Sequence, residues 1–290
     1  MMDTATRVTD GSDGRDMVAR PEPARRDWRR TLRVLGALGG WCGYLFLLLP
    51  SLVIVPISFG GGTELTFPPK TFSLALFKQF FADPAWWGAC VTSVSVALIA
   101  SAISIGVGVP GAYALARGRF PGKRVLETFA ITPMLVPVVV LGLGIYKQFS
   151  MFALVNTVWG LALAHAVLVV PFVVIAVGSG LRHADASLEA VALVMGASRV
   201  RIFFQVVLPQ IRASVAVSML FAFLLSFDEV VVAYFISGPQ TTTLPVKMYS
   251  AIRWEVSPVL AAVSTLLTLI SLFVCLGIMA LQRRDASAEQ

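Results

Sequence analysis

The 290 residues are 57% hydrophobic and only 13% charged, with a mean hydropathy of +0.81. A soluble domain is about 45–50% apolar and about 25% charged, so this chain lacks the polar surface needed to cover a water-soluble globule. Its net charge of +7 does not make it a nucleic-acid binder, because the basic residues are not gathered in one soluble patch.

Residues 1–30 are polar, rich in Asp, Arg, Pro and Ala, and lack hydrophobic periodicity; they are expected to form a disordered tail. Six apolar segments follow, near 33–57, 88–116, 125–146, 157–180, 213–236 and 257–281. Each approaches or exceeds the ~20 residues that cross a hydrocarbon core. The expected fold is an all-α membrane protein with six transmembrane helices, its membrane domain spanning 31–284 and a short tail occupying 285–290. The first segment is too long for the core of a cleaved signal peptide, about 7–15 residues, and no small-x-small site follows it.

Orientation follows from the basic residues. Eight arginines precede or open the first segment, from Arg7 to Arg33. Arg117, Arg119, Lys123 and Arg124 follow the second segment, Arg182, Arg199, Arg201 and Arg212 follow the fourth, and Arg283 and Arg284 end the chain. That places 18 basic residues on one side and 5 on the other, namely Lys70, Lys78, Lys147, Lys247 and Arg253. The positive-inside rule puts the larger set, and both termini, in the cytoplasm. Trp86, Trp87 and Trp254 fall at expected outer ends, where amphipathic rings favour the interface. Cys42, Cys90 and Cys275 lie within apolar runs, without metal-ligand spacing, and read as small packing residues.

Two connections are long. Residues 58–87 are external and carry Gly60-Gly61-Gly62 and Pro68-Pro69, with a short helix expected near Leu74–Phe81. Residues 181–212 are internal. There Ser187 is a candidate helix cap with Glu189 just behind it, and Gly196 suits the left-handed residue that closes a helix. A second short helix is expected from Ser198, with Ile202, Phe203, Val206 and Val207 on its apolar side. Pro209 then separates it from the fifth segment. From the residues alone this is a helix–Gly–helix bracket at the membrane surface, or an ordinary amphipathic linker.

Gly196-Ala197-Ser198, followed by Leu208-Pro209 with the proline 13 positions after the glycine, resembles the EAA loop of binding-protein-dependent ABC transporter permeases. The glutamate usual in that family stands six residues before the glycine, which is Ala190 here; Glu189 is one residue earlier, and Val191 and Ala192 take the alanine positions. Ser226-Phe227-Asp228-Glu229-Val230 and Ser237-Gly238-Pro239-Gln240-Thr241-Thr242-Thr243-Leu244-Pro245 are similar to the spermidine/putrescine-type branch. So is Pro110-Gly111-Ala112-Tyr113-Ala114-Leu115-Ala116-Arg117.

The resemblance implies a type I ABC importer permease in the bacterial inner membrane. Its implied partners are cytoplasmic ATPase subunits docked on the loop, a second, related but different permease, and an extracytoplasmic solute-binding protein. It implies no enzymatic activity and no cofactor in this chain. Nor does the sequence carry a P-loop: Gly118-Arg119-Phe120-Pro121-Gly122-Lys123-Arg124 is one residue short and ends in Arg. His165 and His183 form no metal cluster with other ligands, and His165 is expected to hydrogen-bond a neighbouring helix.

Asp228 and Glu229 fall within the fifth apolar segment, where carboxylates face an interior or a cavity and not lipid. They are candidates for a passage that accepts a cation such as a polyamine. Otherwise they are protonated, or tied to Lys247, Arg253 or a partner. Another small solute, a secondary transporter and a membrane assembly protein are the competing readings.

Overall fold

The computed structural model describes residues 25–61, 66–255 and 257–288, with side chains from Arg33 up to Phe273 and at Leu276 apart from a few positions. The expected tail over 1–24 lies outside them. Helix α1 (Arg25–Ser58) already begins at Arg25, so residues 25–30 are helical and not tail. Residues 1–52 and 53–290 are two separate bodies of contacts; α1 carries a 26-residue apolar window, Arg33–Ser58, long enough to cross a membrane.

In the second body, the connection over 58–87 holds α2 (Ala75–Ala82), within a residue of the helix expected there. Helix α3 (Pro84–Arg117) starts cleanly because Asp83 accepts the Ala85 N–H and Pro84 occupies the first turn, where no N–H is required. The third apolar segment is not one helix. It divides into α4 (Lys123–Leu135) and α5 (Val138–Met151), bent by 107°. Pro137 explains the break, since it pushes Val136 out of helical conformation, and Val136 is extended.

Helix α6 (Val158–His183) is capped by Thr157, which accepts the Gly160 N–H. It packs along α3 through small residues: Ala97, Ala100, Ser101, Ser104, Gly108 and Ala112 are buried on α3, and Ala162, Ala164, Ala166, Val169 and Val173 on α6. A β-carbon at Gly108 would lie 2.7 Å from Val173 Cγ1. Membrane helices lack a hydrophobic drive toward one another, so such close approach supplies the dispersion that joins them.

The loop over 181–212 contains α7 (Ala186–Val194), α8 (Arg199–Ile202), a π turn over Phe203–Val207, and α9 (Leu208–Gln210). The fifth segment is divided as well, into α10 (Arg212–Phe227) and α11 (Val231–Ile236). After α12 (Leu244–Ser250) comes α13 (Val259–Ala288), so most of the expected C-terminal tail is helical. Among the described residues, three helices are individually long and apolar enough to cross a membrane; two bent pairs and the shorter apolar stretch Val259–Phe273 supply the other candidates.

Three apolar clusters lie along the α3–α6 axis. The innermost joins Val109, Val173, Val177 and Leu181 to Ile202, Val207 and Ile211, so the loop is packed onto the helix ends and is not a free linker. The outermost gathers Phe80, Trp86, Ala89, Leu244 and Val259. Trp86 is therefore buried, while Trp87 and Trp254 are exposed. Cys90 packs against this cluster, whereas Cys42 is exposed.

Candidate coupling loop and membrane carboxylates

The cap of α7 is Asp185 and not Ser187: its carboxylate accepts the Ser187 N–H at 2.8 Å. That bond holds the Asp185 carboxyl below the usual carboxylate range. The helix closes as its glycine predicts. Gly196 has φ +83°, its N–H bonds Leu193 O, and Ala197 N–H reaches back to Ala192 O, which together make a Schellman closure. Ser198 caps α8 by accepting from Arg201 N–H. Pro209 does not part the loop from the fifth segment. It sits in the first turn of α9, where its missing N–H is tolerated, and the 79° bend falls at Ile211.

Ala192, Ala197 and Leu208 pack inward on the innermost cluster. Ala190 is exposed, and Leu188, Val191, Leu193, Val194, Met195 and Val200 form an exposed apolar surface, with Val194 at 89% and Met195 at 82%. Glu189 points the other way. Arg117 Nε donates to its Oε1 at 2.9 Å, and the Tyr113 hydroxyl donates to its Oε2 at 3.2 Å.

The fifth apolar run predicts Asp228 and Glu229 inside one continuous helix; they stand instead at its break. Asp228 ends α10 and is exposed. Glu229 folds over the start of α11, where Oε1 accepts from Val231 and Val232 N–H at 3.0 and 3.1 Å and Oε2 accepts from Ala233 N–H at 2.9 Å. These are the donors that a helix start leaves without partners. His165, 1% exposed, brings Nδ1 to 2.9 Å from Ser226 Oγ and Nε2 to 3.8 Å from Glu229 Oε2. The expected bond from His165 to a neighbouring helix is thus to Ser226 on α10. Among the described residues neither carboxylate pairs with Lys247 or Arg253; Lys247 lies over the Trp86 ring at 5.5 Å.

The family described as binding-protein-dependent transport system inner membrane component matches residues 104–284. The chain belongs to that family. It is 31% identical over 253 residues to the putrescine transport system permease protein PotI of Escherichia coli K12, covering 84% of this chain and 86% of that one. It is 29% identical to the spermidine/putrescine transport system permease protein PotC of Haemophilus influenzae, covering 79% and 89%. A bacterial ABC transporter that imports the acidic polysaccharide alginate shares the fold, with a TM-score of 0.73 at 18% identity over 90% of this chain and 99% of that one.

This permease is therefore a multi-pass inner-membrane transport component that works with a solute-binding protein, and not an enzyme. Pattern alone gives Tyr113, Arg117 and Ser226 no role of their own. Arg117 stands 72 positions from Glu189, and only the packing of α3 against α6 brings them together.

Proposed function

We propose that this permease is one of two membrane subunits of an ATP-driven importer of a polyamine such as putrescine or spermidine. Its loop 185–209 docks on a cytoplasmic ATPase, through Ala190, Val191 and the bracket from Gly196 to Pro209. The observation that carries the coupling role is the exposed apolar surface of α7, a helix closed by a Schellman turn and held on the ends of α3 and α6 by the innermost apolar cluster. The relatives named for putrescine and spermidine support the solute. Six crossings with both termini inside fit the 18-to-5 split of basic residues.

Asp228 is the carboxylate we assign to the passage. The 16 residues of α10 rise about 24 Å, which sets Asp228 inside the outer part of the membrane, and a carboxylate exposed at that depth faces water or protein rather than lipid. Below it, a cleft of about 310 Å³ lined by Met134, Phe172, Ile175, Ala176, Ser218 and Phe221 suits the methylene stretches of an amine. Glu229 is already engaged by backbone N–H groups.

The test is reconstitution with the ATPase, the second permease and the binding protein, followed by uptake of labelled putrescine and spermidine. ATP-dependent amine uptake is expected. A complex that hydrolyses ATP in response to another loaded binding protein, and moves neither amine, reassigns the solute. Failure of any ATPase to co-purify overturns the coupling assignment.

A further inference from the structure

The last turns of α3 hold three separate parts of the cytoplasmic end. Arg117 Nε donates to Glu189 Oε1 on α7 at 2.9 Å. Its Nη2 donates to Leu181 O and Ala184 O at 3.2 and 3.3 Å, carbonyls that the end of α6 leaves without intrahelical partners. A cation is also favoured there by the negative end of the α6 dipole. Tyr113, one turn earlier, donates to the other Glu189 oxygen, and its ring packs on Phe203 of the π turn with centroids 5.2 Å apart. The pair is largely shielded, with the Arg117 side chain 28% exposed and that of Glu189 14%.

We propose that Arg117 and Glu189 are positioning residues forming a strut that carries displacement of the loop into α3, and through α3 into the α3–α6 pair. The inference rests on reading the loop as the ATPase contact. The strut is not what keeps the loop folded. Ile202, Val207 and Ile211 are buried against α3 and α6, and Gln210 Oε1 separately accepts the Asp185 N–H at 2.9 Å. With the ion pair removed, the loop stays docked but slides against α3 under load. Arg117 is suited to this by its planar fork, which addresses a carboxylate and two carbonyls together; a lysine offers one point charge.

The experiment uses the complete reconstituted transporter and measures both solute imported per ATP hydrolysed and recovery of the ATPase with the complex. Glu189→Ala and Arg117→Ala are each expected to keep the ATPase bound and ATP hydrolysis running. Solute moved per ATP falls about fivefold or more, the scale of an ordinary coupling free energy. Arg117→Lys falls between wild type and Arg117→Ala. The double variant is no worse than Arg117→Ala alone, since both changes break one strut. An unchanged ratio in both single variants overturns the strut, as does full additivity in the double variant. Loss of the ATPase from the variant complexes also overturns it, because the two residues then act in docking. A wild-type complex that binds no ATPase is a different failure, one of the underlying coupling reading, and the strut falls with it.

Discussion

The loop over 185–209 and the break in the fifth apolar segment each contain one glutamate that is engaged and a neighbour that is not. Glu189 is held by Arg117 and Tyr113 while Ala190 beside it is exposed; Glu229 is held by three backbone N–H groups while Asp228 beside it is exposed. The partners differ in kind. In the loop they are side chains of another helix, so the bond reports where that helix is. At the break they are the first donors of the very helix that the glutamate starts, so the bond sets local shape. A carboxylate in an apolar chain is thus not by itself a binding group, and its donors reveal which task it has.

The largest effect should come from breaking the local shape. Glu229→Ala leaves the N–H groups of Val231, Val232 and Ala233 without acceptors, and Val232 and Ala233 are fully buried. Each buried unsatisfied donor costs about 1–3 kcal/mol, so a loss of about 3 kcal/mol or more is expected, read as a large fall in thermal stability and in folded yield. If Glu229→Ala is as stable as wild type and Asp228→Asn is not, the two roles are reversed.

Next comes the exposed partner at that break. Asp228→Asn keeps the shape and removes a charge that, at about 4 Å, attracts a unit cation by ~1 kcal/mol in water and ~4 kcal/mol at an effective dielectric of 20. Amine uptake should fall about tenfold, corresponding to about 1.4 kcal/mol, with membrane levels unchanged. Equal uptake of both amines by the variant and the wild type would remove Asp228 from the passage.

In the loop, Gly196 tests whether closing α7 matters apart from its charges. Its φ of +83° is the requirement, because a β-carbon there meets nothing within 4 Å. Gly196→Ala should therefore cost only the left-handed backbone penalty, about 1–2 kcal/mol, seen as a modest drop in melting temperature. Gly196→Asn should cost less. A fall in solute moved per ATP without loss of ATPase would show the turn itself transmitting force.

The two regions also differ in how far they can be read from the chain. The loop is legible in part because some of its signals are local: Gly196 needs a left-handed conformation and a second short helix starts at Ser198, whereas the cap is Asp185 and not Ser187, and Pro209 opens α9 instead of parting the loop from the fifth segment. The break at Asp228 is not, because neither glycine nor proline occurs from Arg212 through Ser237 and the residues on either side of the acidic pair are mostly apolar. Only the Glu229 carboxylate, folding back on α11, replaces a proline as the cause. The break in the third apolar segment does have its cause in plain view, in Pro137, yet proline is common enough in membrane helices that a kink and a full 107° turn read alike. Arg117 is visible in the sequence only as one more positive charge, since its partner lies on an element 72 residues away.

The smallest expected effect restores the family's usual residue. Ala190 is exposed on α7, and the acid that meets Arg117 is already present one position earlier. On a helix adjacent positions point about 100° apart, so a glutamate at 190 cannot share the Arg117 fork with Glu189. Ala190→Glu should therefore leave the strut intact and change stability by no more than about 0.5 kcal/mol, as surface substitutions generally do. Solute moved per ATP should also stay at the wild-type level. The sharper form places Ala190→Glu in a Glu189→Ala background. If the new carboxylate cannot reach Arg117, the double variant stays as uncoupled as Glu189→Ala. Recovery of the wild-type ratio would mean instead that an acid anywhere on this turn suffices, acting on the ATPase from the exposed face and not on α3.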